Sequence, residues 1–366
     1  MMNNGRIRVG IIGTGGWARY GHIPALQALD NFEVAALAGR NKDKVENYAN
    51  QFDIGKAYGS PEALLADPDI DLVVVLAPTP EHGRLVRAVI EAGKDVYSEW
   101  PLSTSTAESE HVMRMARERG GRHIVGLQRR FSPSSRYWHD LLKQNAIGQI
   151  RAVRMSVGVN AFGQVMPEFA KWALDAANFT ELLSIYGGHF NDMLFHGVGF
   201  PQKLTAVMEN QFPVTTIAET GEKVPYTSPN EVMIIGSLSH GGLFSIQLEG
   251  GQKHRTGLQI DITGTEGVLR ITNARGFENE NDNEIAIMRN GIETFETLAV
   301  PAAYAYLPVS HLDASSQDVA YLYAAYARDK ATGTHDATTF EDALRQHQLI
   351  DQITESSARF SAEQSL

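Results

Sequence analysis

A glycine-rich turn, Gly13-Thr14-Gly15-Gly16-Trp17-Ala18, stands directly after the apolar run Ile7 to Ile12 and leads into a stretch of helical spacing. This placement constrains the chain more than any other feature. A strand, a G-x-G-x-x-A turn and a helix open a dinucleotide-binding βαβ unit of the Rossmann type. The first two glycines permit a tight turn and let backbone N–H groups approach a pyrophosphate, while a small third residue lets helix and strand pack closely. Gly13, Thr14, Gly15, Gly16 and Trp17 are therefore candidate cofactor contacts. The second strand of such a unit usually ends in a carboxylate that bonds the ribose hydroxyls. Here that place falls in Leu37-Ala38-Gly39-Arg40, which has none. The Arg40 guanidinium suits a 2′-phosphate, so the cofactor expected is NADP in preference to NAD.

Apolar strands alternate with amphipathic helices through the first third of the chain, as parallel βαβ units require. Candidate strands are Ile7 to Ile12, Glu33 to Ala38, Leu72 to Leu76, Asp95 to Tyr97 and His123 to Gly126. Ser60-Pro61-Glu62 and Thr106-Ala107-Glu108 read as helix starts, and Gly93 and Gly120 as helix stops. Past residue ~130 longer alternating stretches take over, the pattern of antiparallel strands with one solvated face. They are Gln149 to Val159, Lys203 to Gln211, Glu231 to Ser239, Gly242 to Glu249 and Leu258 to Ile262. The acidic, Asn-rich stretch Phe277 to Glu284 reads as a solvated hairpin tip. Two late helices, Gln317 to Lys330 and Phe340 to Arg359, are expected to pack back on the body. The fold class is thus a doubly wound parallel sheet over residues 1–130, then an α/β domain with a large open, mostly antiparallel sheet over 131–366.

Composition narrows the function. With 366 residues the chain is long enough for two cores. Its 32 Lys plus Arg against 43 Asp plus Glu give a net charge of −11, which argues against direct binding to nucleic acid. No apolar run approaches the ~20 residues a membrane-spanning helix needs. There are no cysteines, so disulfides and thiolate chemistry are excluded, and a cytoplasmic setting is expected. No third ligand stands at metal-binding spacing beside Asp192 and His196, so no metal is assigned.

Several blocks together resemble the Gfo/Idh/MocA oxidoreductases, whose members mostly act on sugars, polyols and their derivatives. Besides the glycine turn these are Ala77-Pro78-Thr79-Pro80-Glu81-His82, similar to the family's T-P-x-x-H loop, and Glu91-Ala92-Gly93-Lys94-Asp95-Val96-Tyr97-Ser98-Glu99-Trp100-Pro101-Leu102, similar to E-A-G-K-x-V-x-x-E-K-P-L. Gly126-Leu127-Gln128-Arg129-Arg130-Phe131 resembles the segment that closes the nucleotide domain. Gly187-Gly188-His189-Phe190-Asn191-Asp192-Met193-Leu194-Phe195-His196 fits G-G-x-x-x-D-x-x-x-H, and Gly264-Thr265-Glu266-Gly267 fits G-T-x-G. The resemblance implies an active site between the two domains. It implies cofactor contacts at Pro78, Thr79, His82, Glu99 and Pro101, and extends them to Gln128 and Arg129. In an enzyme of this kind His196 takes up or gives the proton, oriented or charged by Asp192, which lies one helical turn away. His189, Lys171 and Arg130 are candidate substrate contacts. A homo-oligomer formed through the sheet of the second domain is expected as well.

One residue departs from the pattern. Most of the family carries Lys where this chain has Trp100, and an indole has one N–H donor, no charge and no useful acid–base pKa. Trp100 is instead a candidate stacking contact for a sugar ring or the nicotinamide. Glu-Trp-Pro with Gly-Gly-His-Phe-Asn-Asp resembles a branch that includes transcriptional co-regulators of the galactose-repressor type. Two functions are therefore weighed: an NAD(P)-dependent oxidoreductase acting on a sugar or polyol derivative, and a non-catalytic dinucleotide-binding sensor or co-regulator that acts through protein partners.

Overall fold

The computed structural model describes residues 5–276 and 281–363. The chain divides into two compact units, Met1–Gln128 with Leu307–His347, and Arg129–Tyr306 with Gln348–Leu366. Residues 307–347, which a single cut near residue 130 assigns to the second domain, thus count with the first.

The first unit is built from β1 (Ile7–Ile12), α1 (Ile23–Gln27), β2 (Phe32–Ala38), α2 (Lys42–Gln51), β3 (Lys56–Tyr58), α3 (Pro61–Leu65), β4 (Leu72–Val75), α4 (His82–Glu91), β5 (Asp95–Glu99), α5 (Thr106–Arg119) and β6 (His123–Gly126). Its sheet has the order β3-β2-β1-β4-β5-β6 and every pairing is parallel. This is the doubly wound arrangement that the alternating pattern predicts. The Leu72–Val75 side chains are all fully buried, as expected of a central strand covered on both faces. Serine hydroxyls cap two helices: Ser60 accepts from the Ala63 N–H and Ser105 from the Glu108 N–H. β3 escapes the sequence reading because it is three half-exposed residues at the sheet edge, without an apolar run. β5 runs on through Ser98 and Glu99, which carries those polar residues to the carboxyl end of the sheet.

The second unit contains α6 (Pro133–Lys143), β7 (Ile150–Gly158), β8 (Val165–Met166), α7 (Gly188–Val198), β9 (Pro201–Glu209), β10 (Val214–Ile217), β11 (Lys223–Pro225), β12 (Glu231–Leu238), β13 (Leu243–Glu249), β14 (Gly257–Gly264), β15 (Gly267–Asn273), β16 (Glu284–Arg289) and β17 (Glu296–Leu298). Eight strands form one sheet in the order β17-β16-β15-β14-β7-β13-β12-β9, antiparallel except where β7 meets β13. Alternation along β12 buries Val232 and Ile234 and turns Met233 and Ile235 outward, more than half exposed. The Phe277 to Glu284 stretch follows β15 in the chain and ends on the first residue of β16, and its residues 277–280 lie outside the described residues.

Two helices end the chain. α8 (Ala314–Thr332) starts at Asp313, whose carboxylate accepts from the Ser316 N–H, and it packs on α1 and β6 of the first unit. α9 (Phe340–Glu363) belongs to the first unit up to His347 and to the second beyond it. In the second unit its Ser356 and Ser357 hydroxyls accept from the Ala206 and Met208 N–H groups of β9. Among the described residues no helix is long and apolar enough to cross a membrane.

Candidate active site

The glycine turn has the shape a diphosphate requires. Gly13 lies at φ +117°, its N–H donates to the Ala38 carbonyl over 2.9 Å, and a Cβ there would stand 2.7 Å from the Leu76 carbonyl oxygen. Only glycine fits that position. A Cβ on Gly15 would meet nothing within 4 Å, so the turn presents open backbone at the carboxyl end of β1. A pyrophosphate fits such a cradle. Gly39 lies beside it, since a Cβ on Gly39 would approach the Thr14 hydroxyl at 3.9 Å, and the exposed Arg40 follows directly. Trp17 is turned to packing: its ring lies 4.9 Å from Tyr20 and covers Gly21, where any Cβ would collide with the indole. The helix after the turn opens with a π-helical turn, Ala18–His22, before α1 begins.

Beneath this turn lies a buried polar cluster that periodicity did not disclose. His22 is fully buried; its Nε2 is 2.9 Å from Glu99 Oε1, and its Nδ1 is 2.7 Å from the Tyr323 hydroxyl. Tyr97 also donates to Glu99 Oε1, over 3.1 Å. Gly126 is needed opposite, because a Cβ there would stand 2.7 Å from the same carboxylate oxygen. Glu99 is thus anchored on three sides, and burial holds the Tyr97 and Tyr323 phenols well above their ordinary pKa.

His82 joins the two loops that the family resemblance singles out. Its Nδ1 lies 2.6 Å from the Pro101 carbonyl and its Nε2 2.7 Å from the Ala77 carbonyl. Burial lowers its pKa, and a neutral ring donates to one carbonyl at a time. The imidazole therefore works as a clamp between the Pro78-Thr79 turn and the Trp100-Pro101 turn. Thr79 and Pro101 are buried and Pro78 is exposed. Trp100 is only 5% exposed and packs its ring 4.9 Å from His347 of α9, whose pKa burial pushes down to about 3. Where most of the family has an ammonium, this chain has an indole against a neutral imidazole. Gln128, at the end of the unit, is buried and its side-chain oxygen lacks a hydrogen-bond partner among the described residues.

In the second unit Arg130, Asp192 and His196 come together. Arg130 Nε and Nη2 donate to the two Asp192 oxygens over 2.8 and 2.7 Å, a bidentate pair buried on both sides. Arg130 Nη1 lies 3.1 Å from His196 Nδ1. A guanidinium can only donate, so Nδ1 accepts and the proton of the neutral ring sits on Nε2. The structure links Asp192 to His196 through Arg130, a connection that spacing alone does not give. Their shared helix face sets both carboxylate oxygens on Arg130, and Arg130 reaches His196. The histidine itself is exposed. His139 of α6 lies 5.1 Å away and is fixed on the Met193 carbonyl; burial and the neighbouring cationic groups hold its pKa well below the ordinary histidine value.

The remaining candidates are placed as follows. Arg129 lies over the Phe190 ring at 5.6 Å, and His189, 5% exposed, is the second residue of α7. Lys171 donates to Glu222 over 2.6 Å, so its ammonium is already matched by a carboxylate. The sequence reading missed His22, Tyr97, Tyr323 and His347. His22 and Glu99 are 77 residues apart, and His22 and Tyr323 are 301 apart, so no local spacing joins them.

A dinucleotide-binding turn in one unit and an Arg–Asp–His array in the other define a dehydrogenase-like protein. Residues 7–127 match the family described as "Oxidoreductase family, NAD-binding Rossmann fold", and residues 133–273 match "Gal80p, C-terminal domain". Dehydrogenase aclE of Aspergillus oryzae is 31% identical over 224 residues, 59% of this chain and 61% of that one. The chain therefore spans less than two-thirds of this relative's length. The galactose/lactose metabolism regulatory protein of Saccharomyces cerevisiae is 27% identical over 298 residues, 75% of this chain and 68% of that one. Levoglucosan dehydrogenase, in complex with NADH and levoglucosan, has the same fold with a TM-score of 0.84 at 21% identity, covering 97% of either chain. The chain belongs to the Gfo/Idh/MocA oxidoreductases, in a branch that has Gal80-like members.

Proposed function

We propose that this protein is an NAD(P)-dependent oxidoreductase that interconverts a hydroxyl and a carbonyl on a sugar or polyol derivative, with NADP preferred. The observation that carries the reading is the intact Arg130–Asp192–His196 array with an exposed imidazole at its end. When bound, the nicotinamide dinucleotide supplies or accepts a hydride. The residues that would hold it are Gly13 to Gly16, with Arg40 at the ribose. His196, kept neutral with its proton on Nε2, donates a hydrogen bond to the substrate oxygen, and Arg130 keeps that tautomer. Asp192 balances the buried guanidinium. A ring that donates from Nε2 polarises a carbonyl oxygen and steadies the alkoxide that hydride addition would form, the proton then coming from solvent at this exposed site. The outward apolar side chains Met233, Ile235 and Leu243 suit burial against a second copy of the chain.

Trp100 favours a second reading. An indole buried against His347 cannot replace an ammonium at the reacting carbon, and a regulatory relative matches three-quarters of the chain. In that reading the protein binds dinucleotide and a protein partner and turns nothing over. The deciding experiment titrates the protein with NADP and NAD by calorimetry, then follows reduced-nicotinamide absorbance with a panel of sugars, ketoses and polyols. Turnover with any member supports the enzyme; intact binding with no turnover across the panel supports the regulator.

A further inference from the structure

The amino-terminal edge of the parallel sheet in the first unit carries a pocket of ≈ 500 Å³. Its strands are parallel, so His123 at the start of β6 lies at the edge opposite to Gly13, which follows the end of β1. The pocket is therefore separate from the dinucleotide turn. Its volume lies in the range of small-molecule sites.

The lining has two characters. Met113 and Ala116 of α5, Ile124 of β6 and Phe340 of α9 make an apolar floor, each no more than 7% exposed. Arg117, Arg122 and Glu341 stand around it. Glu341 is already matched, since Arg117 Nε donates to it over 2.8 Å. Arg122 donates to the main-chain carbonyls of Thr334 and Asp329 and forms no ion pair among the described residues. The pocket lining thus carries two guanidinium groups against one carboxylate. The His123 ring lies 5.5 Å from Phe340, and its buried Nε2 has no hydrogen-bond partner among the described residues.

We propose that this pocket is a second binding site, for a small planar aromatic carboxylate. The ring lies on the floor against Phe340 and His123, where stacked and edge-on aromatic contacts are favourable. The carboxylate faces Arg117 and Arg122, through the N–H groups that their bonds to Glu341, Thr334 and Asp329 leave over. The site has a route to the cofactor side of the unit. Phe340 and Glu341 open α9, and His347 on the same helix, about 10 Å further along, packs on Trp100.

The probe is 2-naphthoate, with 2-naphthamide as the neutral isostere, titrated calorimetrically into the full-length chain with and without saturating NADP. Expected are one naphthoate per chain, at least tenfold weaker binding of the amide, and no competition from NADP. Arg117→Gln, at a side chain 62% exposed and so tolerant of change, is expected to weaken naphthoate about fivefold or more. Absence of heat, equal affinity for the amide, an unchanged Kd in Arg117→Gln, or displacement by NADP would each overturn the proposal. All readouts are binding, so the dehydrogenase reading stands or falls separately.

Discussion

The Arg130–Asp192–His196 array and the Glu99-Trp100-Pro101 segment, each in its own unit, both lie on motifs shared with the family, yet they have fared differently. In the first the polar groups are kept. A guanidinium balanced by a buried carboxylate fixes the tautomer of an exposed histidine. In the second the carboxylate is kept and buttressed by His22 and Tyr97, while the next residue has become an indole packed on a neutral, buried His347. One motif retains its polar groups, and the other carries packing where most of the family has a charge. Fold and much of the candidate site thus accompany an indole at the position where most of the family carries Lys, as expected when function is grafted on a scaffold.

The comparison breaks most sharply at Arg130. Arg130→Met removes the bidentate partner of the buried Asp192 carboxylate, and a stability loss of about 3–5 kcal/mol is expected in urea unfolding. Loss below 1 kcal/mol would show that the pair is not buried in solution. His196→Gln separates chemistry from stability. The residue is exposed, so unfolding should shift by about 0.5 kcal/mol or less. Turnover should nevertheless fall about 10²–10³-fold, with dinucleotide affinity unchanged.

On the Trp100 side the sharpest probe is pH. His347 is held at a pKa of about 3 against 6.5 for a free ring, so the unfolded chain binds the proton that the native chain refuses. Stability is complete above pH 6.5 and falls as pH drops toward 3, by about 2 kcal/mol at pH 5. His347→Phe should flatten that slope, as followed by unfolding at stepped pH; an unaltered slope would mean that His347 titrates normally. The smallest effect expected is at Arg40. Arg40→Ala should weaken NADP about tenfold and leave NAD unchanged, if the guanidinium faces the 2′-phosphate.

Much of this was legible in the chain because it is local. Gly13 to Ala18 is contiguous, and the buried runs Ile7 to Ile12 and Leu72 to Val75 carry the parallel sheet in their composition. Asp192 and His196 share a helix face by spacing alone. What the sequence conceals is set by tertiary contact. Arg130 reaches Asp192 across 62 residues, and only that contact brings the arginine to His196 as well. His22 and His347 have no motif of their own, because their partners come from distant segments. Short edge strands such as β3 are held by pairing rather than by hydrophobic pattern and are missed for that reason.

The central claim is that a hydride moves with His196 in attendance. The direct measurement incubates the protein with reduced NADP deuterated at the nicotinamide C4 and the sugar and ketose panel, then reads deuterium in the products by mass spectrometry. The account predicts one deuterium on the carbinol carbon of at least one product with the wild type, and about a hundredfold less with His196→Gln under saturating dinucleotide. Bound dinucleotide with no labelled product, or equal labelling by His196→Gln, would contradict it.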